Sequence, residues 1–592
     1  MDKVGGYLYS EEEKGMLWMA ISYSMMLLSA LGLGIGGVSL LSRLCGTKKE
    51  NINPAYYLLI GFALLTFYAQ VVSLFTAVTY IFAFLALGIS LICMMIFRKE
   101  LIGAVKACFA EVKWYEWILF LVFTIFIMFL TSLYPKQYDN YLYQAQLLRY
   151  YEEYGVVKGM GNISTRLGFN NSIYAFMALY SLKGIYGYSL HTVNSALCLF
   201  FGIFSIHGLC RIDRTKAYVS TGLQGVLLAY VFFNAETLNC IGTDLPAGLF
   251  GLMILILFAR CIEQKEEDTF SYALLAIMIV YVVTVKVSMG MLGILVFYPA
   301  YHMIRRKEWR RIAACIPVGL LLLLPWLIRN VLISGWLIYP LPSLDLFDVK
   351  WKIPYESVVY ESALVRGWAR IRTSKVFDTL EMSLKEWFPV WFRALPLRYR
   401  LLLYLNIAVV IYEILQGIYA CAKKEKALLS FTLIKLTVFA GILYWLFSAP
   451  DVRFGWIYIM AFPTICFFSS AVWRNIEKIP IHKIGMDGVL FECMMLFVMG
   501  YFFIKSDCPE VFKTSVVGRI NLQAFYIYQG DFSMLPVEEY KIGEDIFYYS
   551  PVGDQAGYYG FPGTTDKPLL ENLGYLGERF QDGVYHKGGE SW

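Results

Sequence analysis

The amino-acid sequence predicts an all-α polytopic membrane protein with an outer loop region and a small C-terminal α/β domain outside the membrane. The chain has 592 residues, of which 58% are hydrophobic and only 16% charged. An ordinary soluble domain carries about 25% charged residues. Many apolar runs are as long as one membrane crossing requires. The last segment is instead rich in Tyr and Gly and contains a β-like run, Asp545–Tyr549, which predicts the α/β domain.

Fourteen apolar runs are predicted to cross the membrane, at roughly 20 residues for each crossing. They cover 16–41, 54–72, 74–97, 116–134, 191–210, 217–235, 245–261, 270–285, 287–304, 312–333, 401–421, 428–448, 454–473 and 487–504. The stretch 270–304 is too long for one span, so we divide it at Lys286. The resulting organisation is 1–115 N-terminal spans, 116–334 core with a first outer loop at 135–190, 335–400 outer loop, 401–504 C-terminal spans and 505–592 outer tail domain.

Lys and Arg residues fix the predicted orientation, because they accumulate on the cytoplasmic side of a membrane. They cluster in alternate loops, around Arg43, Arg98, Arg211, Arg305, Lys423 and Arg474. This pattern places both termini, the loop that carries Asp139 and the 335–400 loop on the outer, extracytoplasmic face of the membrane. The net charge of +6 lies mainly in these short loops, without a basic tail, so nucleic acid is not an expected partner.

The first outer loop has the composition of a site rather than of a simple connector. Asp139 follows the end of a span, and 141–151 has the apolar spacing of a short helix lying at the membrane surface. The segment 159–172, with Arg166 and many Gly and Asn residues, is typical of a shaped loop. A carboxylate and an arginine at the mouth of a helix bundle indicate a binding site.

Four further ionisable residues border the apolar runs, and all are predicted at the outer face: Asp244, Lys286, Arg329 and Arg453. Such groups cost several kcal/mol in a membrane unless they are paired or hydrated, so they are functional candidates. Structural roles stay open: Asp244 as a helix cap, Lys286 reaching the headgroups, and Arg453 paired with nearby Asp451. The candidate catalytic residues are Asp139 and Asp244; the candidate substrate-binding residues are Tyr143, Gln146, Arg166, Asn170, Lys286, Arg329 and Arg453.

These residue types suit transfer of a sugar from a lipid phosphate. Asp139 could take the proton of an acceptor hydroxyl that attacks the anomeric carbon, while Lys and Arg side chains neutralise the leaving phosphate. Asp244 could orient the base, hold the acceptor or share a divalent metal ion, Mg²⁺ or Mn²⁺, with Asp139. The sequence contains no Walker motif and no Gly-rich nucleotide fingerprint, and a membrane-lipid donor requires neither.

The order of a long span, an outer loop with an early Asp, a juxtamembrane helix and many further spans resembles the GT-C superfamily of polyprenyl-phosphate-sugar-dependent glycosyltransferases. The motifs resemble more closely an uncharacterised family of large bacterial membrane proteins. They read YDNYLYQAQ, GMGNISTRLGFNNS, DLP from Asp244, KVS from Lys286, RN…YP from Arg329 and APDVRF ending at Phe454. The GT-C resemblance implies that Asp139 is the catalytic base.

The tail segment PVGDQAGYYGFPGTTDKP is similar to a terminal pattern of that family, GDQCWDA followed by PCTP. At the two positions where the family pattern has Cys, this chain has Ala556 and Gly563. A disulfide that would tie down the tail is therefore not available here.

Together these features predict a donor that is a polyprenyl-phosphate-linked sugar and an acceptor that is a glycan or a lipid-linked molecule, both met at the outer face among membrane lipids. Two other classes stay open. One is a polysaccharide polymerase or ligase, favoured by Arg366, Arg370 and Arg372 in the second outer loop. The other is a transporter or flippase, although its ionisable groups would lie near the bilayer midplane rather than at one end of the spans.

Overall fold

The computed structural model describes residues 15–47, 52–109, 112–211, 217–372, 376–423, 431–470, 529, 531–565 and 567–588. Over these residues the chain is mostly helical. The first half contains α1 Gly15–Cys45, α2 Pro54–Ser73, α3 Tyr80–Ile96, α4 Arg98–Phe109, α5 Trp114–Ser132, α6 Ala145–Glu153, α7 Ile173–Leu179, α8 Lys183–Tyr186, α9 Val193–Leu209, α10 Tyr218–Phe233, α11 Asp244–Glu263 and α12 Thr269–Val285.

The second half contains α13 Phe297–Arg305, α14 Trp309–Ser334, α15 Tyr355–Arg370, α16 Asp378–Glu381, α17 Leu384–Ala394, α18 Leu397–Lys423, α19 Thr432–Ser448, α20 Val452–Ser469 and α21 Lys567–Glu571. A π-helical turn, Asn140–Gln144, precedes α6, and a 3₁₀ segment, Val287–Val296, precedes α13. Five short strands lie in the tail: β1 Glu538–Ile542, β2 Asp545–Tyr549, β3 Gly563–Thr564, β4 Leu573–Tyr575 and β5 Val584–His586.

Within the described residues, eight helices are long and apolar enough to cross a membrane, which indicates a membrane protein. They are α1, α2, α5, α11, the 3₁₀ segment with α13, α14, α18 and α20. The pair α3 and α4 would add a ninth span, but it is bent by 94°. Four further runs form shorter apolar helices, namely α9, α10, α12 and α19. The predicted count of fourteen is therefore not confirmed, and the predicted span 487–504 lies outside the described residues.

Helix α11 lies at the centre of the bundle. Nearly all of its side chains from Leu245 to Cys261 are buried, as expected for a helix that is apolar on every side. It packs against α9, α10, α12 and α20. By contrast, α5, α14 and α18 expose many large apolar side chains, as helices facing lipid would. The N-terminus of α11, where Asp244 stands, therefore opens at one end of the most enclosed part of the protein.

The N-terminal helices join this core through a very close contact. Gly34 of α1 faces the backbone of α2, and a Cβ atom there would lie 1.7 Å from the Tyr57 carbonyl oxygen. Gly61 of α2 approaches the Ala30 carbonyl oxygen to the same distance. Glycine allows two membrane helices to pack backbone against backbone. Since α1 and α2 also contact α14 and α7, the first two helices are packed onto the core rather than separate from it.

Three loops predicted to be cytoplasmic meet at one end of the bundle. Arg310 Nε donates to the Leu44 carbonyl oxygen at 2.7 Å, and Arg311 contacts both Thr47 Oγ1 at 2.9 Å and the Asp268 carboxylate at 2.9 Å. These contacts lie beside the C-terminus of α11, opposite the Asp244 end. The three loops therefore lie together at the end of α11 opposite Asp244, while the topology across the membrane stays a prediction.

The break predicted at Lys286 is confirmed. Helix α12 ends at Val285, Lys286 adopts an extended backbone with φ −156° and ψ 119°, and the 3₁₀ segment begins at the next residue. Lys286 thus lies between the end of α12 and the start of the 3₁₀ segment. This geometry presents the Lys286 amine at the same end of the bundle as Asp244.

The described part of the tail contains a small sheet region and one short helix, α21, while residues 505–528 of the predicted tail domain lie outside the described residues. Strands β1 and β2 pair antiparallel, with Glu538 opposite Tyr549, and β3 joins β2 in parallel. Strands β4 and β5 form a second antiparallel pair. Strand β2 has the bounds predicted from the sequence.

The helix predicted at 141–151 is present, as the π-helical turn followed by α6, and its position relative to the membrane surface stays a prediction. The π-helical turn and α6 are buried on most sides, because α7 covers one side and the tail another. The Phe561 ring packs edge-on against Tyr150, with 4.8 Å between centroids. Gly159, at φ +68°, lies so close to β5 that a Cβ atom would approach the Val584 carbonyl oxygen to 2.1 Å. The tail therefore packs over the first outer loop.

Candidate functional site

Four helix ends bring the candidate site together. Thr243 is the N-cap of α11, so Asp244 occupies the first turn together with Pro246, a residue favoured there. A carboxylate at this position is stabilised by the positive end of the helix dipole. Asp451 is the N-cap of α20, and its Oδ1 accepts from the Arg453 backbone N–H at 3.1 Å. Lys286 follows α12, and Asp139 begins the π-helical turn after α5.

The four charged side chains form a continuous cluster, here called the ion-pair cluster: Asp139, Asp244, Lys286 and Arg453. Arg453 Nη1 donates to Asp139 Oδ2 at 2.8 Å, and its Nε lies 3.9 Å from Asp244 Oδ2. The Lys286 amine forms a close ion pair with the other Asp244 oxygen, Oδ1. Since the side chain of Arg453 is 40% exposed and those of the other three about a fifth, the cluster is open to a ligand.

Two more residues complete the surroundings of the cluster. The Phe454 ring lies beneath both cations, 4.1 Å from Lys286 Nζ and 4.8 Å from the Arg453 guanidinium carbon. Such cation–π contacts favour the charged form of the cations, whereas burial and the nearby Arg453 charge lower the pKa of Lys286 to about 7. Asp451 Oδ2 lies 3.6 Å from Arg453 Nε and 3.2 Å from Arg372 Nη2. The site therefore alternates carboxylates and cations along a surface.

Tyr143 borders the ion-pair cluster through the charges of Asp139 and Arg453, both of which act on its hydroxyl. Burial raises the pKa of Tyr143 to about 12, so the hydroxyl is neutral at physiological pH. Arg166 lies further toward the tail. Its Nε is 4.0 Å from Glu361 Oε1, and that oxygen also accepts from the Thr165 hydroxyl at 2.7 Å. Tyr143 and Arg166 are thus neighbours of the cluster rather than members of it.

Three predicted substrate-binding residues have other contacts. Arg329 is 1% exposed; its Nη1 donates to the Ser73 carbonyl and hydroxyl oxygens at 3.2 and 3.1 Å, and its guanidinium stacks 3.8 Å from the centre of the Tyr151 ring. Asn170 accepts from Tyr151 and donates to the Trp326 carbonyl oxygen. Gln146 bonds the tail backbone. The structure therefore does not bring these three side chains into the ion-pair cluster.

Gln146 shows how the tail is fastened. Its Nε2 donates to the carbonyl oxygens of Gly557 and Gly560 at 2.5 and 2.8 Å, and its Oε1 accepts from the Gly563 N–H at 2.9 Å. One amide thus makes three backbone bonds to a segment more than 400 positions later in the sequence. Its place in the structure is explained by tail attachment.

Sequence reasoning missed the tail as part of the site. The Tyr138 hydroxyl donates to the Asp554 carboxylate in a very close contact, and Gln555 Nε2 donates to the Tyr138 carbonyl oxygen at 2.9 Å. No local sequence signal connects these two segments. Phe454 ends the APDVRF motif but was not selected as a site residue, because an aromatic side chain beside an apolar run is usually explained by packing. Asp451, regarded only as a local partner of Arg453, had a signal in its N-cap position.

Whether the predicted Mg²⁺ or Mn²⁺ ion fits the site depends on the side chains that could act as its ligands. Over the part of the chain that the structure describes, no group of three or more His, Cys, Asp or Glu side chains is arranged to hold a metal ion. Asp139 and Asp244 are bridged by Arg453 instead of converging on a common point. The residues present therefore do not fit a shared metal ion.

Comparison with known proteins gives a family but no activity. A family model described as "Domain of unknown function (DUF8201)" matches residues 16–460. This range includes every member of the ion-pair cluster and ends before the tail. No curated protein matches the chain. No solved structure matches it either.

Proposed function

Because the chain belongs to the DUF8201 family, whose function is unknown, we propose its function from the site: a membrane glycosyltransferase that moves a sugar from a polyprenyl-phosphate carrier to a glycan or lipid-linked acceptor. The observation that carries the proposal is the convergence of Asp139, Asp244, Lys286 and Arg453 at the end of the central helix. We place the site at the outer face of a bacterial cytoplasmic membrane, where both the lipid donor and a cell-surface acceptor are available.

The reaction assigns a separate task to each sign of charge. Asp139 takes the proton from an acceptor hydroxyl as its oxygen forms a bond to the anomeric carbon. The bond between that carbon and the phosphate oxygen breaks, and its electron pair leaves with the phosphate. Lys286 and Arg453 neutralise this charge, Arg453 through the planar fork that suits a phosphate. Asp244 holds Lys286 and the Nε side of Arg453 in position.

The ion pairs also explain how the base would be released. Without a donor, Arg453 neutralises Asp139 through a bond of 2.8 Å. The donor phosphodiester carries one negative charge, as a carboxylate does, and it gains a second as its bond to the anomeric carbon breaks, so it competes for Arg453 most strongly during transfer. Donor binding would then free the Asp139 carboxylate to accept a proton. In this mechanism the carboxylate becomes an effective base only once a donor is present.

A second candidate, a polysaccharide polymerase or ligase, is favoured by one observation. Arg372 of the second outer loop, 74% exposed, reaches Asp451 and thereby borders the ion-pair cluster. A diphosphate-linked glycan would need more positive charge than a monophosphate, and Arg372 could supply it. A transporter is disfavoured because the charged residues lie at the ends of α11, α12 and α20 rather than near their middles.

The test is glycan production in a deletion host complemented with Asp139→Asn, with protein levels in the membrane measured in parallel. Asparagine keeps the size of the side chain but cannot take the proton, and loss of a general base lowers the rate about 100-fold or more. We expect loss of the glycan and accumulation of a sugar on a polyprenyl monophosphate. Asp348→Asn, an exposed aspartate of the second outer loop, is the matched control and should leave the glycan unchanged.

The other outcomes discriminate between the candidates. Accumulation of a whole lipid-linked repeat unit in Asp139→Asn cells would favour the polymerase. An unchanged glycan at normal protein level would remove Asp139 from the mechanism and the transferase proposal with it.

A further inference from the structure

The residue before the candidate base is an exposed aromatic side chain. Tyr138 is 57% exposed, whereas Asn140, Tyr141 and Leu142 shortly after it are buried. Its hydroxyl donates to Asp554 and its carbonyl oxygen accepts from Gln555. The ring is therefore fixed from both ends while much of its surface faces solvent. An exposed aromatic ring with little freedom loses little entropy when a ligand packs against it.

The tail segment that holds Tyr138 is itself firmly attached. The Gly557 N–H donates to the Tyr141 carbonyl oxygen at 2.9 Å. Arg149 Nη1 donates to the Tyr558 carbonyl oxygen at 2.9 Å and packs over the Phe561 ring, 4.6 Å from its centre. Asp554 and Gln555 are thus carried by a segment anchored immediately after them. The position of the Tyr138 ring depends on the tail.

The site consequently has two sides with different chemistry. Asp139 binds Arg453, which leads to Lys286 and the ends of the candidate membrane spans. On the other side, Tyr138 meets Asp554. The first side offers cations to a lipid phosphate. The second offers an aromatic face and a carboxylate to a molecule that arrives from the water.

We propose that Tyr138 and Asp554 form the acceptor subsite, in which one sugar ring of a glycan packs on Tyr138 and hydrogen-bonds to the Asp554 carboxylate. This inference rests on the proposed function and assigns the acceptor of the same site. A sugar ring has an apolar C–H face and an edge of hydroxyl groups, which matches a flat aromatic ring beside a hydrogen-bond acceptor. A hydroxyl of the bound sugar is then near Asp139, the next residue along the chain.

The direct test measures acceptor binding without transfer. Envelope glycan fragments are isolated from the deletion host, where the acceptor is unmodified, and are labelled with a fluorophore. Full-length protein in lipid nanodiscs is titrated against these fragments by fluorescence polarisation. No polyprenyl donor is added, so the measurement reports the acceptor side of the site alone.

Three variants separate the ring from its tether. Tyr138→Ala removes the ring and should weaken binding about tenfold. Tyr138→Phe keeps the ring but loses the bond to Asp554, and should weaken binding about threefold. Asp554→Asn should have an effect of similar size to Tyr138→Phe. Tyr355→Ala, an exposed tyrosine of α15 at 50% exposure, is the matched control and should bind like the unchanged protein.

The outcomes distinguish this inference from the proposed function. Failure of the unchanged protein to bind the fragments, or equal binding by Tyr138→Ala at equal protein level, would overturn the acceptor subsite. Binding of peptides from digested envelope proteins in place of glycan fragments would also overturn it. If Asp139→Asn cells make normal glycan while Tyr138→Ala protein loses fragment binding, the glycan subsite stands and the transferase proposal fails.

Discussion

Arg453 and Arg329 show how two arginines at the same end of a helix bundle can have different roles. Arg453 is 40% exposed and contacts the carboxylates of Asp139 and Asp244. Arg329 is buried, stacks on Tyr151 and donates to Ser73, and among the described residues no carboxylate is paired with it. An open cation paired with exchangeable carboxylates can be given up to a substrate. A buried cation fixed by a ring and a helix end instead joins α14 to α2 and α6.

The largest effect that would test this comparison is expected for Arg453→Met. If Arg453 neutralises a leaving phosphate, its loss should lower transfer about 100-fold, as removal of one charge-stabilising donor does. The free energy of unfolding should change by about 1 kcal/mol or less, because exposed ion pairs contribute little. The measurements are glycan yield and the thermal unfolding midpoint in nanodiscs. Arg372→Met is the matched control, and its yield should fall less than about fivefold in the transferase.

The reverse pattern for Arg453→Met, with an unstable protein of normal activity per molecule, would remove the distinction between the two arginines. A fall in yield for Arg372→Met as large as that for Arg453→Met would favour the polymerase reading, which needs the additional charge.

Arg329→Met should affect stability and spare chemistry. The substitution removes two hydrogen bonds from a charged donor and a close cation–π contact, a loss of about 3 kcal/mol. We expect lower accumulation in the membrane and a lower unfolding midpoint, with transfer per folded molecule within about threefold of the unchanged protein. Arg329→Lys keeps the charge but not the planar stack. Its unfolding midpoint should lie between those of the unchanged protein and Arg329→Met. A stable but inactive Arg329→Met protein would return this residue to the substrate site.

The fold was predictable from sequence where the signal was local. Apolar runs gave the helices, and the long run with Lys286 inside it gave a break that the structure contains. The number of spans was less accessible, because four apolar runs form helices of only 16 or 17 residues, near or below the length that one crossing requires. Hydropathy measures the composition of a run but not the depth at which its helix ends.

The candidate site was predictable in part, for a different physical reason. Charges are costly in apolar runs, so Asp244, Lys286 and Arg453 stood out, and the structure brings all three together with Asp139. The same rule could not separate Arg329 from them, because burial and stacking depend on which helices meet. Contacts such as that of Tyr138 with Asp554 join segments about 400 residues apart and leave no local pattern.

A buried carboxyl group beneath the tail extends the comparison to acidic side chains. Glu152 of α6 accepts from the Ser189 hydroxyl at 2.5 Å and from the Tyr558 hydroxyl of the tail at 2.6 Å. Burial raises the pKa of Glu152 above its ordinary value, although these two hydrogen bonds and nearby Lys183 oppose the shift. As pH rises, the native state therefore keeps the Glu152 proton to a higher pH than the unfolded state does.

The sign of the pH dependence follows from that difference. As pH rises from about 4.5 through the raised pKa of Glu152, its contribution to stability falls, by about 1.4 kcal/mol for each unit of difference. We expect the tail of the full-length protein to be cut faster by protease as pH rises through this window, and Glu152→Gln to reduce the dependence. A Glu152→Gln profile that matches the unchanged protein would show that another group controls the docking.

Glu153 provides a control of opposite sign. Partial burial raises its pKa, but hydrogen bonds from Lys183 and Arg149 outweigh that effect and lower the pKa below its ordinary value. Its stabilising contribution is thus present above the ordinary carboxyl pKa and is lost on acidification. Glu153→Gln should therefore weaken docking at neutral pH, whereas Glu152→Gln should not.

The smallest effect is expected in the tail at Ala556 and Gly563, the two positions where the terminal pattern of the resembled family has Cys. An ideal Cβ atom on Gly563 would lie 2.7 Å from Ala556 Cβ, closer than the roughly 3.8 Å usual across a disulfide. Ala556→Cys with Gly563→Cys should therefore form a disulfide after a shift of about 1 Å, detected by resistance to alkylation. Gly563→Cys alone should loosen the tail, because its side chain meets the Gly560 carbonyl oxygen. The disulfide should restore about 1 kcal/mol of the docking free energy that Gly563→Cys alone loses, measured as resistance to protease. The gain is small because the disulfide closes a short loop and is itself strained. Failure of the two thiols to pair would mean that Gln146 and its backbone bonds, rather than a lost covalent link, set the geometry of this segment.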